Sequence, residues 1–202
     1  MHMPDAWDRD SDASLMERTR SGDEAALLQL YQRHRDPTFH FAYRMLGSAE
    51  QAEDVTHDCF LSLIRSPGRF DPRRGSLRAY LYAAARNLVL KRFRRSLNEV
   101  AGENLGEKAH AAVPEEPLRH LLAEELSGEV RKALAQMSPL QREVIVLFEY
   151  EEQSLAEIAS IVGTDVGTVK SRLHRGRECL RRELAPYLNG AGGKRREKSD
   201  HE

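Results

Sequence analysis

Four cationic side chains lie within eight residues of one another in the stretch VKSRLHRGR, near the C-terminal end of the sequence. They are Lys170, Arg172, Arg175 and Arg177. Such side chains bind phosphate groups, and a subset can reach the edges of bases. The helix dipole favours Lys and Arg near a helix C-terminus, but this cluster begins well before the end of its predicted helix. The cluster therefore indicates a negatively charged partner.

A helical wheel separates these cations from an apolar stripe. With 3.6 residues per turn, four residues fall on one face: Val169, Leu173, Gly176 and Leu180. The preceding segment SLAEIASIVG carries a second apolar stripe and ends at Gly163. The pattern predicts a helix, a tight turn and a basic second helix, as in helix-turn-helix proteins that place the second helix in the major groove. The wheel alone leaves open a solvated amphipathic helix of an ordinary bundle.

A second basic segment lies in the N-terminal half. Residues 77–96 include six Lys or Arg side chains and no acid. Tyr80, Tyr82 and Asn87 share this segment. Aromatic rings on a basic surface suit unpaired strands, because rings stack on bases while cations follow phosphates. Tyr80 has an equally good interpretation as a core residue.

An acidic helix is predicted upstream, in the stretch AEDVTHDCFLSLI. Its apolar stripe comprises Ala52, Val55, Cys59 and Leu63. Much of the remaining surface is acidic. The residues alone allow two interpretations, a solvated face or a face that docks on a protein.

Composition limits the class of protein. The chain has 202 residues with a net charge of −1, and 40% are hydrophobic, 31% charged and 6% aromatic. These values fit a soluble helical protein, and no apolar run is long enough to cross a membrane. The N-terminus lacks the order of a secretory signal, so we expect a cytoplasmic protein without membrane insertion. We expect no metal, no cofactor and no catalysis, because no nucleophile–base pair, metal-ligand cluster or phosphate-binding glycine loop is visible.

Breaks in the apolar periodicity predict two small all-α domains joined by a flexible linker. The predicted units are a disordered tail at 1–14, a domain at 15–96, an acidic linker at 97–117, a domain with the helix-turn-helix at 118–186 and a disordered tail at 187–202. The linker is rich in Gly, Pro and Glu and has little apolar periodicity. The stretch SPGRFDPRRGS must be a loop before the second basic segment.

Together these motifs resemble the bacterial RNA polymerase sigma factors of the extracytoplasmic-function (ECF) group. The stretch REVIVLFEYEEQSLAEIASIVGTDVGTVKSRLHRGRECLRREL resembles sigma region 4, which reads the minus-thirty-five promoter element. The segments GDEAALLQLYQRH, AEDVTHDCFLSLI and FDPRRGSLRAYLYAAARNLVLKRFRR resemble sigma region 2, which binds polymerase and opens the minus-ten element. The resemblance implies a non-enzymatic protein that binds core polymerase, recognises promoter DNA and promotes strand opening.

The resemblance also implies three groups of site residues. Contacts to minus-thirty-five DNA are expected from Thr168, Lys170, Ser171, Arg172, His174, Arg175 and Arg177. Contacts to minus-ten DNA are expected from Phe70, Arg73, Arg74, Ser76, Tyr80, Tyr82, Arg86, Asn87 and Lys91. Contacts to polymerase are expected from Glu53, Asp54, His57, Asp58 and Phe60. The implied partners are the clamp of the largest polymerase subunit, the flap of the second largest, promoter DNA and, as a further candidate, an anti-sigma factor.

The chain departs from the family pattern at several positions. Gly176 stands where the family usually has Ala, which costs about 1 kcal/mol of helix stability. Its place on the predicted buried face suggests unusually close packing. His57 stands where the family often has Gln, and Tyr80 where it commonly has Trp.

Two other function classes compete with this interpretation. A stand-alone helix-turn-helix regulator that dimerises on a palindrome leaves the second basic segment unexplained and predicts no complex with core polymerase. A nucleic-acid enzyme that uses Tyr80 or Tyr82 with acidic residues predicts metal-dependent cleavage.

Overall fold

The structure, a computed structural model, describes the backbone of residues 11–100 and 119–193 and the side chains of residues 11–95 and 128–187. The predicted linker lies mostly outside the described residues, and each predicted tail lies partly outside them.

Eight α-helices make up most of the described chain. The N-terminal half contains α1 (Asp12–Arg20), α2 (Glu24–Leu46), α3 (Ala49–Arg65) and α4 (Leu77–Val100). The C-terminal half contains α5 (Arg119–Gln136), α6 (Pro139–Ile145), α7 (Leu155–Val162) and α8 (Val166–Gly193). A 3₁₀ turn at Pro67–Arg69 follows α3, and a π-helical turn at Val146–Tyr150 continues α6. The described residues contain no strand, so the all-α prediction is confirmed.

The N-terminal helices form a bundle around α2, which packs against α1, α3 and α4. Asp23 caps α2 by accepting hydrogen bonds from the next helical amides, and Gly47 ends it in the left-handed region at φ 73°. The predicted stripe on α3 is confirmed, because all four of its residues are buried. Burial raises the pKa of the Cys59 thiol in that stripe to about 12.

Asp12 connects α1 to α2. Its two carboxylate oxygens lie 2.7 Å from the Arg33 guanidinium and 2.8 Å from the His34 ring nitrogen. Burial of Asp12 acts to raise its pKa, but the hydrogen bonds and charges of His34 and Arg33 outweigh that effect and hold the pKa below its usual value. Helix α1 is capped by Ser11 and begins three residues before Leu15, the predicted start of the first domain. Apolar periodicity does not reveal this first turn, because Asp12 is held by polar partners on α2.

Replacing Asp12 with Asn should reduce the free energy of unfolding at pH 7 by about 1 kcal/mol. The pKa is depressed in the folded state, so the stabilisation is present above the unfolded pKa and is lost as pH falls through the folded value. Urea denaturation of the wild type and of Asp12→Asn should therefore show a lower free energy of unfolding for the variant at pH 7, and this deficit should shrink towards pH 3. The exposed Asp36→Asn is the control. A deficit of the same size at both pH values would contradict the ionic contribution.

The C-terminal domain positions α8 against α6 and α7. Ser154 and Glu157 form a reciprocal capping box at the start of α7, and Gly163 ends that helix at φ 69°. The predicted buried stripe of α8 is confirmed at Val169 and Leu173, which are almost fully buried. The tight turn and the basic second helix of the predicted helix-turn-helix are therefore present.

The two domains pack against each other. Helix α4 packs against α6 and α7, and α2 packs against α5 and α6. Both domains therefore cover α4. Tyr82, Ala85 and Val89 are fully buried, whereas Ala84 and Leu88 are only half-buried.

Candidate nucleic-acid and polymerase interfaces

The first turn of α8 is held by an acidic cap. Asp165 accepts a hydrogen bond from the backbone amide of Thr168 at 2.9 Å and another from its hydroxyl at 2.7 Å. These bonds hold the pKa of Asp165 below its usual value. Thr168 is half-buried, and both its amide and its hydroxyl bind Asp165. This cap orients the start of the basic helix.

Five of the residues predicted to contact minus-thirty-five DNA are exposed on α8: Lys170, Ser171, His174, Arg175 and Arg177. Within the described part of the chain, Lys170 and Arg175 form no ion pair, and His174 lies 3.4 Å from Glu178. Uncompensated cations beside a short hydroxyl side chain leave this face able to approach a polyanion.

The other two cations of this group are held by carboxylates. An Arg172 nitrogen lies 3.2 Å from Glu143, and an Arg177 nitrogen lies 2.7 Å from Glu149. The Arg177 guanidinium also covers the Phe148 ring at 5.0 Å. That Arg172 and Arg177 contact DNA stays a prediction. To do so, each side chain has to leave its carboxylate partner and pair with a phosphate.

The loop before α4 borders a shallow depression. Its lining residues are Asp12, Ala13, Arg33, Phe70, Pro72, Gly75, Ser76 and Leu77. Phe70 is buried and forms part of the wall, where its ring meets Tyr80 edge-on at 5.7 Å. Arg73 and Arg74 are exposed beside it. The structure thus brings Phe70 and Ser76 together with two residues that sequence reasoning did not include, Asp12 and Arg33.

The predicted minus-ten residues of α4 divide into two sets. Asn87 and Lys91 are exposed, and Tyr80 is half-buried. The expected surface position of Tyr82 is wrong in this conformation, because its ring is fully buried and its hydroxyl donates to Glu151. Arg86 is likewise withdrawn, with a side chain only 15% exposed.

Two acids of the C-terminal domain hold these withdrawn groups. Glu143 is 0% exposed, and its oxygens lie 2.7 Å from Arg86 and 3.2 Å from Arg172. Burial raises the pKa of Glu143, although Arg86 and Arg172 act in the opposite direction. Glu151 lies 3.0 Å from a nitrogen of Arg44. Burial and the neighbouring Glu151 together raise the pKa of the Tyr82 phenol.

Sequence reasoning did not identify either acid. A signal was available for Glu143, because a carboxylate directly before the apolar run VIVL must have a partner if it is buried with that run. Glu151 lies in the acidic stretch EYEEQ, which reads as a solvated loop and gives no comparable signal.

The acidic face of α3 is open. Glu53, Asp54, His57 and Asp58 are all exposed. Glu53 lies 2.8 Å from Arg35, and Asp54 lies 3.5 Å from Arg92. The predicted surface contact at Phe60 is wrong in position, since this ring is buried in the core and packs edge-on against Tyr31 at 4.9 Å.

The molecule is thus a helix-turn-helix protein whose α8 exposes a basic face. The basic helix α4 of the other domain, which carries tyrosines, provides a second candidate nucleic-acid surface. Residues 30–98 match the family model of Sigma-70 region 2, and residues 127–180 match that of Sigma-70 region 4. The ECF RNA polymerase sigma factor SigW of Bacillus subtilis is 34% identical over 180 residues, which are 84% of this chain and 94% of SigW. This chain therefore belongs to the ECF RNA polymerase sigma factors.

Solved structures agree with this assignment. The sigma factor RpoE in complex with the anti-sigma factor NepR from Bartonella quintana superposes with a TM-score of 0.63 at 25% identity, covering 78% of this chain and 95% of RpoE. CnrH in complex with the cytosolic domain of CnrY also gives 0.63, at 28% identity over 88% of this chain and 99% of CnrH. The match of the N-terminal half disfavours the stand-alone regulator.

The described residues contain no helix that is long and apolar enough to span a membrane. They also contain no group of three or more His, Cys, Asp or Glu side chains placed to hold a metal ion.

Proposed function

We propose that this chain acts as an ECF sigma factor that binds core RNA polymerase, recognises promoter DNA and promotes strand opening. The proposal is carried by the distribution of charge over the two domains. The α3 helix exposes Asp54 and Asp58, whereas α8 exposes Lys170 and Arg175. An acidic face suits a basic protein surface, and a basic helix suits DNA. One chain can thus connect the polymerase to a promoter.

The α8 helix is the proposed reader of the minus-thirty-five element. Its exposed face carries a lysine, a serine, a histidine and an arginine within two turns, which supplies both phosphate and base-edge contacts. Asp165 fixes the first turn through Thr168, so these side chains start from a rigid helix. The neighbouring helix α7 then supports α8 from behind, as in other helix-turn-helix proteins.

The depression beside Phe70 and Ser76 is the proposed receptor for an unpaired minus-ten base. It combines an aromatic wall with polar groups, and Asn87 and Lys91 on α4 are exposed to follow the strand. Stacking contributes about 1–3 kcal/mol per base, which is comparable to the few kcal/mol needed to unstack one. Strand opening then requires binding energy and no covalent chemistry from this chain.

Further parts of the proposal follow from family membership. The domain limits are 15–96 for region 2 and 118–186 for region 4, and the chain works in the cytoplasm without catalysing a reaction itself. RpoE was solved with the anti-sigma factor NepR. We therefore include an anti-sigma protein among the candidate partners.

Binding to purified core polymerase tests the proposal. The wild-type chain should form a complex and direct transcription in vitro from a promoter library. Asp58→Lys should weaken the complex by about 10-fold or more, because a cation then faces the basic surface of the partner. Affinity is measured by titrating fluorescently labelled chain with core enzyme.

The matched control is Glu17→Lys, which makes the same charge change on the exposed surface of α1. It should leave polymerase affinity unchanged. A wild-type chain that forms no complex with core polymerase would contradict the proposed function, and equal losses in both variants would remove α3 as the docking face.

A further inference from the structure

Helix α1 reaches the depression beside Phe70, the proposed minus-ten receptor, at both of its ends. Asp12 and Ala13, in its first turn, line the depression. Arg20, its last residue, hydrogen-bonds to the loop that carries Phe70. The match to Sigma-70 region 2 begins at residue 30, so it covers neither end of this helix. The role of α1 therefore has to be inferred from its contacts.

The Arg20 guanidinium binds two backbone carbonyls of that loop. Its Nη2 donates to the carbonyl of Phe70 at 2.6 Å and to that of Pro67 at 3.3 Å, and its Nε lies 3.4 Å from the same Pro67 oxygen. Its Nη1 donates to the Glu17 carboxylate at 2.9 Å, so the guanidinium is also held from its own helix. The planar, rigid guanidinium thus connects α1 to two points of the loop that lie 47 and 50 residues further along the chain.

The loop between α3 and α4 has little regular structure of its own. It contains one 3₁₀ turn of three residues, Pro67–Arg69, and residues 71–76 are all exposed. Phe70 lies between these two parts and is only 3% exposed, with its ring edge-on to Tyr80. Arg20 therefore binds the backbone at the residue whose ring forms the wall of the receptor.

A wall that is rigid before binding favours capture of a base. Ordering a loop during binding costs free energy, which is subtracted from the gain in stacking. A loop that is already held in place avoids this cost. The Arg20 side chain is 30% exposed and its bond to Phe70 is partly buried, so water competes with this bond less than with one on the surface.

We propose that Arg20 is a positioning residue of the minus-ten receptor, which holds the loop backbone at Pro67 and Phe70 so that the aromatic wall is in place before the unpaired base enters. The inference rests on the proposed function, since it takes the depression as the receptor for that base. Arg20 acts through Phe70 and does not contact the base. Its removal should weaken capture of the base and leave binding to core polymerase through α3 unchanged.

A thermodynamic cycle between Arg20 and the captured base tests this role. Wild type and Arg20→Ala are each bound to core polymerase, and the complexes are titrated with fluorescent non-template strands of about 20 nucleotides. The strands carry the minus-ten element of a promoter that the wild-type complex transcribes, either intact or with an abasic site at one position at a time. The abasic site that costs the wild type most affinity marks the captured base. Arg20→Ala should lose about 10-fold in affinity for the intact strand but about 2-fold or less for that abasic strand, because its effect requires the base.

Two further variants separate positioning from charge. Arg20→Lys should lie between wild type and Arg20→Ala, because an ammonium group can still donate to one of the two carbonyls. Arg69→Ala is the matched control, since it removes an exposed cation from the loop itself. Within the described part of the chain, the Arg69 side chain forms no hydrogen bond or ion pair. Loss of a phosphate contact at Arg69 should weaken binding of intact and abasic strands equally.

Titration of labelled chain with core polymerase shows whether Arg20→Ala is folded, and Arg20→Lys carries the cycle under the same criterion where Arg20→Ala does not bind. Equal losses for the intact and the abasic strand would overturn the role of Arg20. A wild-type complex that loses the same affinity at every abasic position contradicts the proposed receptor itself. A marked position in the wild type, combined with equal losses in the Arg20 variants, contradicts the positioning role alone.

Discussion

The double variant Lys170→Ala with Arg175→Ala should lose about 100-fold in affinity of the polymerase complex for minus-thirty-five DNA, with each single change costing about 10-fold. Both side chains are exposed on α8 and form no ion pair within the described residues, so their removal leaves no buried charge behind. The loss is a direct loss of contacts to the polyanion. Electrophoretic mobility shifts and in vitro transcription measure it.

Salt dependence distinguishes the roles of the two residues. A side chain that contacts only phosphate should reduce the slope of log affinity against log salt by about one when it is removed, and should act alike on all sequences. Removal of a side chain that reads a base should instead relax the sequence preference at one position of the promoter element. The control is Arg181→Ala. It removes an exposed cation that lies six residues, or about 9 Å, beyond Arg175 along the helix. Equal losses for Arg181→Ala and Arg175→Ala would show that the effect is one of general charge.

The elements of this fold are predictable from sequence because their signals are local. The stripe through Val169 and Leu173 repeats at helical spacing, and the core face of α8 follows from it. Gly163 supplies the left-handed conformation that the tight turn needs. Each of these signals is complete within about ten residues, so no knowledge of the rest of the chain is required.

The positions of Tyr82 and Arg86 were not predictable in the same way. Their partners lie 69 and 57 residues further along the chain, in the other domain. An aromatic ring among arginines fits a surface that stacks on bases and equally fits a buried contact with a distant acid. Only the packing of α4 against α6 and α7 decides between the two in this conformation.

Two identical substitutions at different glycines should change stability in opposite directions. Gly176→Ala places a methyl carbon 2.5 Å from Cγ1 and 2.9 Å from Cδ1 of Ile145, a fully buried side chain of α6. Overpacking of about 1–3 kcal/mol then exceeds the gain in helix propensity of about 1 kcal/mol, so the free energy of unfolding should fall by up to about 2 kcal/mol. Among the described residues, the new methyl group of Gly128→Ala on α5 meets the tip of Arg131 alone, at 3.9 Å, and the change should be stabilising by about 0.5–1 kcal/mol.

Thermal and urea denaturation of the two variants and of Ile145→Ala with Gly176→Ala measure this difference. Removing the γ and δ carbons of Ile145 opens space for the new methyl group, so the double variant should be more stable than the sum of the single effects predicts. That coupling identifies the contact itself as the source of the cost. If Gly176→Ala were as stabilising as Gly128→Ala, α8 would not approach α6 as closely as described, and the glycine would have to be explained by a close approach to DNA or polymerase instead.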